Sequence, residues 1–257
     1  GECIKRCSPH RKPQDPLYMW MDVRFLYKLN KMRKKSVNMF ISPSQYLTDN
    51  CKKSGFNIVC INNPFDFTIL EKFKKQQVYD EKVYLVYGLI ARHKGVFQFL
   101  KAFDVFAVNK NVRLEFIGKM DTHVKEEFLY EISKRDKVKY LGEMKYKDII
   151  KHLENIYSVV VPSLWIENYP NTALEGCATE CIVIGSDRGG IPELIQNDDF
   201  IFDIKDSKSI VKSLNKTYEL SYEEYRNIIK KNYERVCHNN SINIYYNKLM
   251  NTINSVL

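Results

Sequence analysis

No stretch of the 257-residue sequence is apolar for the length that a membrane span requires. Its opening residues, "GECIKRCSPHRKPQDP", lack the apolar core of a secretion signal, so a globular chain in the cytoplasm is expected. Seven cysteines, an odd number scattered through a mid-sized chain, do not form the framework of a secreted disulfide protein. Most are read as reduced core residues. Cys3, Cys7 and His10 have the spacing of metal ligands, but nothing downstream supplies a matching second pair, and no metal site is expected there. Zinc-finger spacing, aromatic RNA-binding motifs and basic repeats are all missing, which argues against nucleic acid as a partner. An Asp-x-Asp pattern, the usual holder of a divalent ion beside a diphosphate, occurs nowhere.

What is present is a hydrophobic fraction of 44% and a formal charge of +9, enough apolar material for a sizeable core and a bias toward anionic partners. The first residue is Gly rather than Met, which points to a piece of a longer chain. From residue 83 onward strand-like and helical patterns alternate: "VYLVYG", "VFQFLKAFDVFA", "VRLEFIG", "THVKEEFLYEIS", "VKYLG", "YKDIIKHLE", "SVVVPS", a glutamate-bearing helix and "CIVIGS". This order predicts an α/β fold, a doubly wound Rossmann-like parallel sheet with right-handed crossovers. Three helical stretches follow, near 206–218, 221–236 and 241–255. The expected organisation is a partial N-terminal unit over 1–63, a linker over 64–82, a ligand-binding domain over 83–236 and a C-terminal helix over 237–257. Early in the chain, Arg24, Lys28, Lys31, Arg33, Lys34 and Lys35, with Trp20, Phe25 and Tyr27, form a basic aromatic helix. Such a helix can lie on an anionic membrane surface or pack on its own domain.

The most informative stretch is "SLWIENYPNTALEGCA", residues 163–178. Pro170 suits a first helical position, Asn168 can cap, and Ala173, Leu174, Cys177 and Ala178 recur at helical spacing. Glu167 then lies in the loop after a buried strand and Glu175 on the helix that follows. Loops at the carboxyl ends of parallel strands, with a helix N-terminus behind them, form the usual ligand crevice of such sheets. Carboxylates there accept hydrogen bonds from vicinal hydroxyls, while helix amides favour an anion such as phosphate. A sugar nucleotide carries both groups. An isolated pair would equally suit a solvated loop residue and a helix-surface charge.

Two further loops lie at the same sheet edge. "YGLIARHKGVFQFLKAF" leaves a strand at Gly88, crosses Arg92, His93 and Lys94, and turns at Gly95 into a helix. Gly95 lets the backbone approach a ligand, Lys94 is placed to neutralise phosphate, and His93 is read as solvated. "SDRGGIPELI" follows another strand with a flexible Gly189–Gly190 pair, after which Pro192 opens a short helix. One cationic, one doubly acidic and one glycine-rich loop converge as a donor pocket requires.

With these motifs in order, the sequence resembles the donor-binding half of the glycosyltransferase family 4 (group 1) enzymes, whose fold has two Rossmann-like domains facing a cleft. The likeness rests on Glu167 and Glu175 around "NYPNTAL", on Lys94–Gly95, and on "SDRGGIPELI" at the expected distance. It extends back through "ISPSQYLTDNCKKSGFNIVCINNPFD", which resembles the end of the family's N-terminal domain. The resemblance implies that Glu175 holds the ribose diol, and that Glu167 accepts from hydroxyls of the donor sugar. The loop of Asn168, Tyr169, Pro170, Asn171 and Thr172 would meet the sugar and diphosphate through its amides. Gly88, Gly95, Gly189 and Gly190 would let the backbone come close. Lys94 would stabilise the departing diphosphate, making Lys94 and Glu167 the catalytic pair. The implied reaction is retaining, independent of metal and without cofactor. Its donor would be a nucleotide-diphosphate sugar and its acceptor a saccharide or glycolipid, in cell-surface polysaccharide assembly.

Three departures from the family pattern stand out. Leu89 occupies the place of an arginine after the glycine, leaving Arg92 as the nearest substitute. Glu180 and Ile182 replace the glycine and proline that usually follow the second glutamate, which would loosen the path into the next strand. Only the tail of the N-terminal domain is present, so the chain can also be a non-catalytic remnant that binds a sugar nucleotide or a partner. A sugar-nucleotide enzyme without transfer, such as an epimerase, is a further alternative.

Overall fold

The structure is a computed structural model that describes residues 23–76 and 78–257, with side chains from Tyr27 onward. Trp20, the Cys3–Cys7–His10 group and the side chains of Arg24 and Phe25 lie outside the described residues. Among the described residues no helix is long and apolar enough to cross a membrane.

The N-terminal part comprises α1 (Val23–Ser36), β1 (Phe40–Ser42), α2 (Gln45–Lys53) and β2 (Ile58–Cys60), with β1 and β2 paired in parallel. From Tyr27 on, α1 presents a largely exposed basic surface, with Tyr27 and Met32 also exposed. Ser44 caps α2 by accepting from the Leu47 amide.

The second part is a six-stranded parallel sheet: β3 (Lys82–Tyr87), β4 (Val112–Ile117), β5 (Val138–Tyr140), β6 (Ser158–Val161), β7 (Ile182–Ser186) and β8 (Ile201–Phe202). Its spatial order is β5-β4-β3-β6-β7-β8. The doubly wound parallel sheet expected from the alternating patterns is therefore present. Its central strands are nearly continuous apolar runs because helices cover both of their faces. Between the strands lie α3 (Val96–Phe106), α4 (Lys125–Ser133), α5 (Tyr146–His152), α6 (Asn171–Ala178) and α7 (Ile191–Ile195). Then come α8 (Ser207–Tyr218), α9 (Tyr222–Asn240) and α10 (Ile242–Asn254).

Helix α3 buries Val96, Phe99, Leu100, Ala102, Phe103 and Phe106, the i, i+3, i+4, i+7 stripe of a core-facing helix. The Tyr84 ring on β3 lies edge-on to Phe103 and Phe106, at centroid distances of 6.1 and 5.5 Å. Of the five described cysteines, all unbridged, Cys177 and Cys181 are buried and Cys51, Cys60 and Cys237 are half-buried.

Chain order in the sheet runs outward from β3 through β4 to β5, then restarts at β6 and runs the other way through β7 to β8. The reversal between β3 and β6 is a topological switch point, where adjacent loops leave the sheet in opposite directions and open a crevice. Strands β3 and β6 pair only at Tyr84–Ser158 and Leu85–Val159. Beyond that, Val86 and Tyr87 stay paired to β4 alone.

The two parts meet where the chain crosses between them. The Phe65 amide donates to the Asn240 carbonyl at 2.7 Å, and the Asn240 amide nitrogen donates to the Asn63 carbonyl at 2.8 Å. Ser241, extended at φ −66° and ψ 151°, separates α9 from α10 at that point. Glu193 on α7 accepts from the amides of Gln45 and Tyr46 at 2.9 and 2.6 Å, satisfying the N-terminus of α2 from across the junction.

Candidate functional site

At the switch point a cavity of about 130 Å³ opens at the carboxyl ends of β3 and β6. Val86 and Tyr87 line it from β3, Val160 and Val161 from β6, Gly88, Lys94, Ser163, Glu167 and Pro170 from the loops, and Thr172 from the start of α6. Two of the three loops singled out in the sequence therefore line one concavity; the third, with Gly189 and Gly190, packs against the Glu167 loop instead.

Lys94 ends a short 3-10 turn, Arg92–Lys94, and Gly95 follows at φ 70°, ψ 15°. A Cβ at Gly95 would stand 1.8 Å from the Pro162 carbonyl oxygen, so the glycine is required by the contact with the β6 loop. The sequence reading gave this glycine to ligand approach, but the protein's own backbone already fills the space. The tight contact carries Lys94 over to Glu167, whose Oε1 accepts from the Lys94 ammonium at 2.6 Å and from the Ser163 hydroxyl at 2.9 Å.

The Glu167 loop is supported from β7. The Gly190 amide donates to the Glu167 carbonyl at 2.8 Å. Added Cβ atoms at Gly189 and Gly190 would lie 2.0 Å from the Glu167 carbonyl oxygen and 1.9 Å from that of Asn168. The glycine pair thus lets one loop press against the other. Asn168 is exposed and does not cap α6. The cap position is Pro170, at φ −69° and ψ 121°, two residues later than the sequence suggests, and the helix itself begins one residue later, at Asn171; the side chain of Tyr169 is buried beside it. Asn171 and Thr172 open α6, where the first amides have no preceding turn to bond.

Glu175 lies one turn further along α6 and is partly buried. Its Oε2 accepts from the Tyr87 hydroxyl at 2.7 Å, and the Tyr146 hydroxyl also acts on the same carboxylate. Burial raises the Glu175 carboxyl above its usual 4.5, and the two phenols partly oppose that shift. Tyr87 is pushed well up, first by burial and then by the adjacent Glu175 carboxylate. Tyr146 is raised by the same two causes in the same order.

Two residues named from the sequence are directed elsewhere. Arg92 pairs with Glu127 on α4 and lies over the Phe97 ring at 5.0 Å, so its guanidinium is committed outside the cavity. The Tyr169 hydroxyl accepts from the Asn240 amide nitrogen at 3.0 Å and faces the chain crossing. His93 is exposed, with its ring centroid 5.9 Å from that of Trp165, and its carbonyl accepts from the Leu164 and Trp165 amides. Tyr87, Ser163 and Tyr146 are site residues that the sequence reading did not name. Ser163 and Tyr87 sit beside strand ends already identified as the crevice, which is the one signal that could have found them.

Sheet order, crevice and side chains together define an α/β ligand-binding domain with a lysine–glutamate pair and a second, phenol-bonded glutamate at its switch point. The chain belongs to the glycosyl transferases group 1 family, which it matches over residues 68–235. The fold is shared with solved glycosyltransferases. A glycosyltransferase from Rickettsia africae ESF-5 superposes at a TM-score of 0.79 with 15% identity, over 89% of this chain and 67% of its own. Sucrose-phosphate synthase from Thermosynechococcus elongatus gives 0.77 with 15% identity, over 92% and 63%. Anabaena HepE, in complex with UDP and glucose, gives 0.77 with 16% identity, over 90% and 67%. The chain therefore spans about two thirds of the length of these structures. No curated protein matches its sequence.

Proposed function

We propose that this chain is the donor-binding part of a retaining glycosyltransferase that takes a nucleotide-diphosphate sugar and passes the sugar to a saccharide or glycolipid, in cell-surface polysaccharide assembly. The observation that carries the reading is the Lys94–Glu167 pair lining one cavity at the switch point, with Glu175 bonded to the cavity-lining Tyr87. In this reading the diphosphate lies against Lys94 and the opening amides of α6, Glu175 accepts from the ribose diol, and Glu167 accepts from sugar hydroxyls. As the bond between the sugar and the diphosphate breaks, its electron pair leaves with the diphosphate. Lys94 faces the charge that grows there, where a cation in a water-poor site has its largest effect on rate. Arg92 supplies no second cation while it is paired with Glu127. The complex of HepE with UDP supports a uridine nucleotide as the first one to test. The exposed basic surface of α1 supports contact with an anionic membrane that carries the acceptor.

Calorimetry with UDP and GDP tests the reading. One of the two should bind the chain, binding should persist in excess chelator because cationic and amide groups meet the phosphates, and Glu175→Ala should weaken it. A folded chain that binds neither nucleotide would overturn it. Negligible sugar transfer by residues 1–257, with transfer by a chain extended upstream through a second Rossmann-like domain, would separate the donor part from the complete catalyst.

A further inference from the structure

Tyr87 stands where the strand leads into the crevice, and its hydroxyl makes two contacts. It lies 2.7 Å from Glu175 Oε2 and 3.1 Å from the Thr172 carbonyl oxygen. A phenol has one proton, so it can donate to only one of these acceptors at a time. With Glu175 ionised the proton goes to the carboxylate, the nearer and charged acceptor. With Glu175 protonated, the carboxyl can donate to the Tyr87 oxygen while the Tyr87 proton turns to Thr172. The same three groups thus have two self-consistent arrangements, and only the first leaves a charged carboxylate ready to accept from a diol.

We propose that Tyr87, which lines the cavity, is the positioning residue of this site: the hydroxyl it directs at Oε2 fixes the orientation in which Glu175 accepts from the ribose hydroxyls. The proposal rests on the donor-binding reading given above. It concerns a residue that acts through Glu175 rather than one that touches the reacting bond. The surroundings leave this task to Tyr87 and its neighbour. Among the described residues, the groups acting on Glu175 are Tyr87 from β3 and Tyr146 from α5. Cys181 acts on Tyr87, and Asp66 acts on Tyr146. None of these is a cation. Phenolic hydrogen bonds therefore oppose, without outweighing, the burial that disfavours charge on Glu175, and nucleotide affinity is expected to follow the protonation of this residue.

The test uses the whole chain. Carbon-detected NMR of labelled glutamate, assigned with Glu175→Gln, follows the Glu175 carboxyl without ligand, and calorimetry follows UDP affinity across pH. Losing one hydrogen bond to a charged group is expected to move the Glu175 midpoint up by about one pH unit in Tyr87→Phe. UDP affinity near the wild-type midpoint should fall severalfold, with its pH profile displaced upward by the same amount. Glu175→Gln should bind weakly with a flat profile. Tyr146→Phe, at a half-exposed position that does not threaten the core, should move the midpoint in the same direction and keeps the test available if Tyr87→Phe does not fold. An unmoved midpoint in both phenylalanine variants overturns the proposal even if UDP binds. A shifted midpoint in a chain that binds no nucleotide overturns the donor reading, and the positioning role with it.

Discussion

The Lys94 ammonium lies 2.6 Å from the Glu167 carboxylate, with the Ser163 hydroxyl as that carboxylate's second donor. Their side chains keep only 33% and 16% of their exposure, so the pair is screened less than a surface ion pair. In the proposed reading, the cation that would meet phosphate and the carboxylate that would meet sugar hydroxyls neutralise one another when no donor is bound.

Removing one partner leaves the other charge in the crevice without compensation. Lys94→Ala should therefore weaken UDP binding by more than the lost contact alone, because the Glu167 charge then repels the diphosphate. Adding Glu167→Gln to Lys94→Ala should restore part of the affinity. A double-mutant cycle by calorimetry measures the coupling, and strictly additive losses would show that the pair does not act as a unit.

Glu175 makes stability depend on pH in a defined direction. Its folded value is raised above 4.5, so the ionised form is disfavoured by folding at neutral pH. This cost is present above the folded value and vanishes as pH falls through it. Glu175→Gln should therefore melt higher than wild type near pH 7, with the gap closing in acid, while binding UDP less well. Thermal melts at pH 7 and below 4.5 check both statements, and a gap that widens in acid would reverse the assignment.

Glu180 sits at φ 52°, the left-handed region where a side chain is strained, in place of the glycine of the family pattern. Its amide still donates to the Cys177 carbonyl at 3.3 Å, and its carbonyl accepts from the Tyr225 hydroxyl at 3.4 Å, so the path into β7 is held at both ends of this residue. Glu180→Gly should stabilise the fold by about 1 kcal/mol, less whatever glycine gains in unfolded freedom. Urea unfolding measures it, and a clear loss of stability would mean that the glutamate side chain contributes more than the backbone strain costs.

Asn240 bonds both the Asn63 carbonyl and the Tyr169 hydroxyl, while Asn63 in turn donates to Asn171 at 3.0 Å. The crossing of the two parts is thereby tied to the start of α6. Asn240→Ala should cost about 1–3 kcal/mol, since it strips buried polar groups of their partners. UDP affinity should fall with it, although Asn240 does not line the cavity, and Asn240→Asp, which keeps an acceptor but loses the donor, should not rescue either property. Unfolding midpoints and calorimetry on the same samples check this.

The alternation of apolar runs with amphipathic stretches was enough to determine the order of strands and helices. A buried parallel strand and a core-facing helix each impose a residue period that is visible locally, as in "SVVV" before β6 and the Val96–Phe106 stripe. The positions of Lys94 and Glu167 in loops after strand ends, and of Glu175 on the helix that follows, were also legible from the local pattern. The tertiary structure alone decided how those residues pair. That Lys94 meets Glu167, that Arg92 turns away to Glu127, and that Gly95 and Gly190 are demanded by the carbonyls of Pro162 and Asn168 are contacts between segments tens of residues apart. Local propensity carries no record of them. Tyr87 was hidden for the same reason: in the sequence it is one more aromatic residue in a strand, and only the reversal of strand order at β3 and β6 places its hydroxyl against a glutamate 88 positions away.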